Sequence, residues 1–157
     1  MKFADFVCFD ALVPNLKATN REGVIAELVE AISKSGAFGA TVCKEVTQAV
    51  IKRENEASTG LGKGVAVPHV KHKSIKKLIA TFGRSGVGVD FNSLDKQPVY
   101  SVILILSPVD NAEVHLQAME KVFMHLQHEN FRKFLRQSQT AEQIRDLLKE
   151  ADTSATL

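Results

Sequence analysis

The chain has 157 residues, of which 45% are hydrophobic and 24% charged, with a formal net charge of +2. This composition excludes a disordered chain, which needs low hydrophobicity and high net charge, and the charge is too small to argue for nucleic acid as a partner. The length suits a single domain over 1–157, with about 151–157 a frayed tail.

The first ten residues, MKFADFVCFD, carry acids where a signal peptide needs basic and then apolar residues. The longest apolar run, Val102 to Leu106, is far below the span of a bilayer. Cys8 and Cys43 have no CxxC spacing and fit small apolar fillers. A reducing compartment is therefore expected, with a cytoplasmic location and no insertion into a membrane.

Thr19 to Gly36 predicts a helix. Thr19 and Glu22 have capping-box spacing, Val24, Ile25, Leu28, Val29 and Ile32 share one face, and Gly36 is the stop. A second helix is expected over Thr41 to about Arg53, with Val42, Val46, Ala49 and Val50 inward. Ser58 to Pro68 reads as a glycine-rich loop followed by a short strand, Val65-Ala66-Val67. Leu78, Ala80 and Phe82 alternate as in a strand, and Gly83 to Pro98 reads as turns. Val99 to Leu106 is β-branched and nearly all apolar, which predicts a central strand buried on both faces.

Asp110 and Glu113 form another capping-box pair opening a helix to about Leu126, with Leu116, Met119, Val122, Phe123 and Leu126 on one side. Phe131, Phe134 and Leu135 suggest a short helix. Thr140-x-x-Gln143 opens the last one, with Ile144, Leu147 and Leu148 inward. Helices before, between and after strands make an α/β layered fold.

The chemistry concentrates between Arg53 and His69. An arginine near a helix end is followed by Gly60, Gly62 and Gly64 in alternation, and then by a short apolar strand that ends in Pro68-His69. Strand ends of α/β sheets face the crevice where ligands bind. Proline ends a hydrogen-bonded ladder, glycines admit close backbone approach, and guanidinium offers paired donors to phosphate oxygens. Neutral imidazole is a competent nucleophile near pH 7.

Arg53-Glu54, Ser58-Thr59-Gly60-Leu61-Gly62 and Gly64-Val65-Ala66-Val67-Pro68-His69 resemble the phosphorylation-site pattern of the mannitol/fructose-type enzyme IIA domains of the phosphotransferase system, which include a nitrogen-regulatory type. Gly88-Val89-Asp90-Phe91, Gln97-Pro98-Val99, Ser107-Pro108 and His115-Leu116 are similar to further segments of that family, and the order of elements agrees from roughly Phe6 to Lys149. The resemblance implies a three-layer α/β sandwich with a mixed sheet of about five strands flanked by helices. It implies a phosphohistidine carrier that takes the phosphoryl group on His69 from an HPr-like phosphocarrier protein and passes it to an enzyme IIB partner, or whose phosphorylation state regulates a target protein. His115 would bond the phosphoryl oxygens, Arg53 would neutralise them, and Ser58, Thr59 and Gly60 would bind phosphate. No metal and no cofactor are implied.

At the position after His69, where the family often has glycine or alanine, this chain has Val70, a β-branched residue that resists positive φ and fills space near the site. On that feature a non-catalytic docking module retaining the fold is the competing reading. A free-standing chain with no fused transporter or IIB segment leans toward regulation over sugar uptake.

Other histidines carry less. His69-x-x-His72 invites a metal, but the loop around it offers no nearby carboxylate or thiolate. His125 lies ten residues beyond His115, which turns it elsewhere on the helix, and it is expected at the surface with His128. The run Lys71, Lys73, Lys76, Lys77 reads as a solvated face, or as positive potential for a phosphorylated partner. Glu54 and Glu56 are expected to pair with Arg53 or with these lysines.

Overall fold

The computed structural model describes residues 1–153. Five helices and five strands follow one another in chain order: α1 (Arg21–Lys34), α2 (Ala40–Glu56), β1 (Gly60–Gly62), β2 (Val65–Ala66), β3 (His69–Lys71), β4 (Ile79–Val89), β5 (Val99–Ser107), α3 (Ala112–Leu126), α4 (Glu129–Gln137) and α5 (Ala141–Thr153). Two short 3-10 turns, Phe3–Asp5 and Phe9–Ala11, precede them.

The sheet is mixed and centres on β5. Along one edge β5 pairs in parallel first with β2 and then with β3, Val65 opposite Ser101 and His69 opposite Ile105. Pro68 interrupts that edge between the two short strands, its carbonyl still accepting from the Ile105 amide. Along the other edge β4 pairs antiparallel with β5. The outer edge of β4 is covered by the N-terminal segment, through bridges of Val7 to Ala80 and Val13 to Gly83.

The alternation of β5 divides the core into two layers. Val102, Leu104 and Leu106 pack with Ile25, Leu28 and Val29 of α1 and with Val46 and Val50 of α2. Ile103 and Ile105 pack with Met119, Val122 and Leu126 of α3, Phe131 and Leu135 of α4, and Ile144 and Leu148 of α5. The three-layer sandwich expected from the sequence is the observed architecture, and its central strand is buried on both faces.

Several local expectations are corrected. Asn20, one residue beyond Thr19, caps α1 by accepting from the Gly23 amide. Asn111 likewise caps α3 in place of Asp110, accepting from Val114. Asparagine and aspartate are both strong caps, so the spacing rule placed each helix start a residue early. Gly83 to Val89, expected as turns, continues β4. Gly83 is there for close packing: a Cβ on it would come 2.7 Å from Leu28 Cδ2 of α1. Leu116 is 58% exposed, so it does not belong to the core stripe of α3.

His125 is the converse correction. It is 4% exposed and sits edge-on between Phe3 and Phe131, with ring centroids 5.0 and 5.4 Å away. The N-terminal turn carrying Phe3 covers that face of α3, which helical spacing alone does not reveal. Residues 151–153, expected in a frayed tail, belong to α5. Ala151 is buried, and Asp152 accepts from the amides of Phe3 and Ala4, while Ser154 to Leu157 lie outside the described residues.

Candidate functional site

β3 and β5 run parallel, so their C-terminal ends meet at one end of the sheet. His69 opens β3. Val65 and Val67 pack on the α3 side, and alternation carries the His69 side chain to that same side. Ser107 closes β5 on the side of Ile103 and Ile105. Four residues after the Asn111 cap, α3 presents His115 to this end. The two imidazoles lie together, ring centroids 5.5 Å apart and planes inclined by 47°.

Hydrogen bonding gives the two rings different roles. His69 Nδ1 lies 2.7 Å from the Val67 carbonyl oxygen. A carbonyl only accepts, so Nδ1 carries the proton and the neutral ring keeps a lone pair on Nε2. His115 Nδ1 lies 2.6 Å from Ser107 Oγ, a hydroxyl able to donate or accept. With Ser107 donating, His115 presents an Nε2–H outward.

Both rings are held neutral. Burial lowers the His69 pKa from its ordinary value, opposed by the Val67 hydrogen bond and assisted by the charge of Arg53; Glu54 raises it and Lys71 lowers it. Burial, then the charges of His69 and Lys71, bring His115 down to about 4. Of the basic run, Lys71 is the lysine whose charge bears on both rings. It stands two residues after His69 on the same strand face and opposite Ser107. That two-residue spacing was the available sequence signal.

Arg53 arrives from the other helical layer, in the last turn of α2, where its Nη1 donates to the Ala57 carbonyl at 2.9 Å. Ser58, Thr59 and Gly60 lie on the loop that follows α2, but the Ser58 and Thr59 hydroxyls and the Thr59 and Gly60 amides are already engaged. The Ser58 hydroxyl donates to the Phe91 carbonyl and accepts from the Gly60 amide. Thr59 donates to Glu54 from both its amide, at 2.7 Å, and its hydroxyl, at 2.6 Å. Glu54 is 2% exposed. Its expected pairing with Arg53 or a lysine is not what holds it; the loop amide and hydroxyl take the carboxylate first. The loop then turns back as a hairpin through Gly62, Lys63 and Gly64, all at positive φ, where glycine costs least.

Val70 sits in β3 opposite Leu106 and packs on the α1/α2 core. Its backbone is not among the positive-φ positions, so the β-branch is unstrained and points away from the histidine face. His72 accepts from the Ser74 amide on Nδ1 and belongs to the turn after β3. His128 is exposed, as expected.

The sequence model of the phosphoenolpyruvate-dependent sugar phosphotransferase system, EIIA 2, matches residues 9–151. A fructose-specific EIIABC component from Bacillus subtilis is 32% identical over 97% of this chain, which spans only 24% of that relative. A nitrogen regulatory protein from Bradyrhizobium diazoefficiens is 31% identical over 94% of this chain and 95% of its own length. Among solved structures, the mannitol IIA protein of Escherichia coli superposes with a TM-score of 0.74 at 25% identity, covering 88% of this chain and 96% of that one. The same mannitol IIA has been solved in complex with phosphorylated IIB, TM-score 0.73 at 25% identity, over 90% of this chain and 95% of that one. No helix among the described residues is long and apolar enough to cross a membrane.

Proposed function

The chain belongs to the EIIA type 2 family of the sugar phosphotransferase system, whose members act as phosphoryl carriers or regulators, and on that premise we propose that His69 is its phosphoryl acceptor, working in the cytoplasm between an HPr-like phosphocarrier and a IIB or regulated partner. The single observation carrying this reading is the His69 tautomer: Nδ1 is committed to the Val67 carbonyl, which leaves Nε2 as the nucleophile.

In the transfer, the Nε2 lone pair attacks phosphorus in line with the donor's P–N bond. The new N–P bond forms as the old one breaks, and the leaving electron pair stays on the donor's imidazole nitrogen. The His69 ring, still protonated on Nδ1, takes up positive charge that faces the Val67 carbonyl. Nε2–H of His115, set by Ser107, and the Arg53 guanidinium serve as donors to the phosphoryl oxygens, and Lys71 adds positive potential. Ser58, Thr59 and Gly60 join this clamp only by exchanging their present partners, so their first contribution is to shape the loop. Passage to IIB has its counterpart in the mannitol IIA complex.

The test is incubation with HPr that carries a labelled phosphoryl group on its histidine. Acid-labile, base-stable label should appear on the protein and vanish in His69→Ala, with the circular dichroism spectrum unchanged. His115→Ala should slow acceptance on the order of 100-fold, the scale of one lost transition-state donor. Label persisting in His69→Ala moves the acceptor elsewhere. A wild-type protein that takes no label, yet binds a partner, is the docking module.

A further inference from the structure

The site holds one buried charge that the transfer step above does not use. Glu54 lies in the last turn of α2, beside Arg53, and among the described residues no cation comes within ion-pair distance of it. A buried carboxylate is costly unless its lone pairs are met, and here Thr59 alone meets them, with amide and hydroxyl. From Thr59 the contacts run on to the acceptor. The Thr59 carbonyl takes the Val67 amide at 3.1 Å, and the Val67 carbonyl takes His69 Nδ1 at 2.7 Å.

We infer that Glu54 is a positioning residue for phosphoryl transfer: it anchors Thr59, through Thr59 the Val67 peptide, and through Val67 the tautomer and direction of the His69 ring, while keeping a negative charge within reach of the imidazole. This rests on His69 being the acceptor. The backbone groups in this chain of contacts belong to different peptide units, so the connection is one of position rather than of polarisation passed along a single peptide. The charge acts directly. Phosphorylation of Nε2 with Nδ1 still protonated makes the ring cationic, and a fixed carboxylate stabilises that charge. Arg53 and Lys71 act on the ring with the opposite sign, as does His115 once protonated, so among the described residues Glu54 is the anionic side chain that bears on His69.

Position and charge separate experimentally. Glu54→Gln keeps the shape: its carbonyl still accepts the Thr59 amide, and its NH2 donates to the Thr59 hydroxyl, which reverses. Glu54→Ala loses both. The readouts are the His69 titration followed by NMR on the unphosphorylated protein and the pH profile of label acceptance from phosphorylated HPr. In Glu54→Gln the His69 titration should move to lower pH while the Nδ1-protonated tautomer persists. In Glu54→Ala the tautomer should become mixed and acceptance should fall by roughly 10- to 100-fold across the pH range, the scale of a small misplacement of the attacking atom. If Glu54→Ala does not fold, Thr59→Val, which removes the hydroxyl and keeps the amide, should reproduce part of the tautomer mixing. An unchanged His69 titration in Glu54→Gln with an unmixed tautomer in Glu54→Ala or Thr59→Val overturns the inference. A wild-type protein that takes no label on His69 overturns the acceptor reading instead, and the NMR arms still report on Glu54.

Discussion

Ser107 Oγ and His115 Nδ1 lie 2.6 Å apart, and with the hydroxyl donating the imidazole offers a proton on Nε2. With burial and the neighbouring charges holding His115 down to about 4, the ring is neutral at physiological pH and serves as a donor only if its proton sits on Nε2. Ser107→Ala frees Nδ1 to carry that proton. Acceptance of label should slow about tenfold, since the donor is misdirected rather than removed, and the His115 tautomer seen by NMR should change. A rate equal to wild type would take Ser107 out of the clamp. The sequence marked Ser107 only as part of the Ser107-Pro108 segment that resembles the family's. Its role became legible once β5 and α3 were placed end to end. Glu54 was hidden for a related reason: beside an arginine and a basic run, a glutamate reads as a surface ion pair, and only burial shows that its partner is a backbone amide.

At the scale of elements, the site depends on where α3 starts. Asn111 supplies the side-chain cap to the Val114 amide, one residue before His115. Asn111→Ala should cost about 1 kcal/mol of stability, as cap removal commonly does, and should also loosen His115. The check is a urea melt beside the rate of label acceptance; a stability loss with no change in rate would mean that β5 and Ser107 hold the histidine without the cap. β4 teaches a complementary lesson. Three glycines in Gly83–Gly88 look like turns, yet Gly83 is a packing glycine beneath α1, and the strand runs through it. Local propensity lost there to a contact with a helix some fifty residues earlier in the chain.

The whole molecule carries a pH signature. His69, His115 and His125 all have folded-state pKa values below their ordinary 6.5, each chiefly through burial. In the unfolded chain they bind protons near pH 6.5, and in the folded protein only at lower pH. The unfolded state therefore binds more protons in between, and stability declines as the pH is lowered through that window. Their contribution is full above about pH 6.5 and is lost as pH drops toward about 4, where His115 also protonates in the fold. The urea midpoint should decline from about pH 7 to about pH 5, and the decline should be shallower in His115→Gln. A decline of equal slope in that variant would assign the effect to other groups.

The sequence by itself determined the kind of chemistry and the class of fold. Glycine alternation before an apolar strand ending in Pro-His is a local pattern, and the all-apolar run from Val99 to Leu106 demands cover on both faces wherever it lies. The tertiary structure decided the partnerships. That Ser107 meets His115 and that Glu54 is buried against Thr59 depend on how neighbouring elements turn back on each other, and that His125 is buried beneath Phe3 depends on the two ends of the chain meeting in space. Hydrogen bonding and burial are properties of those meetings, so no spacing within one segment encodes them.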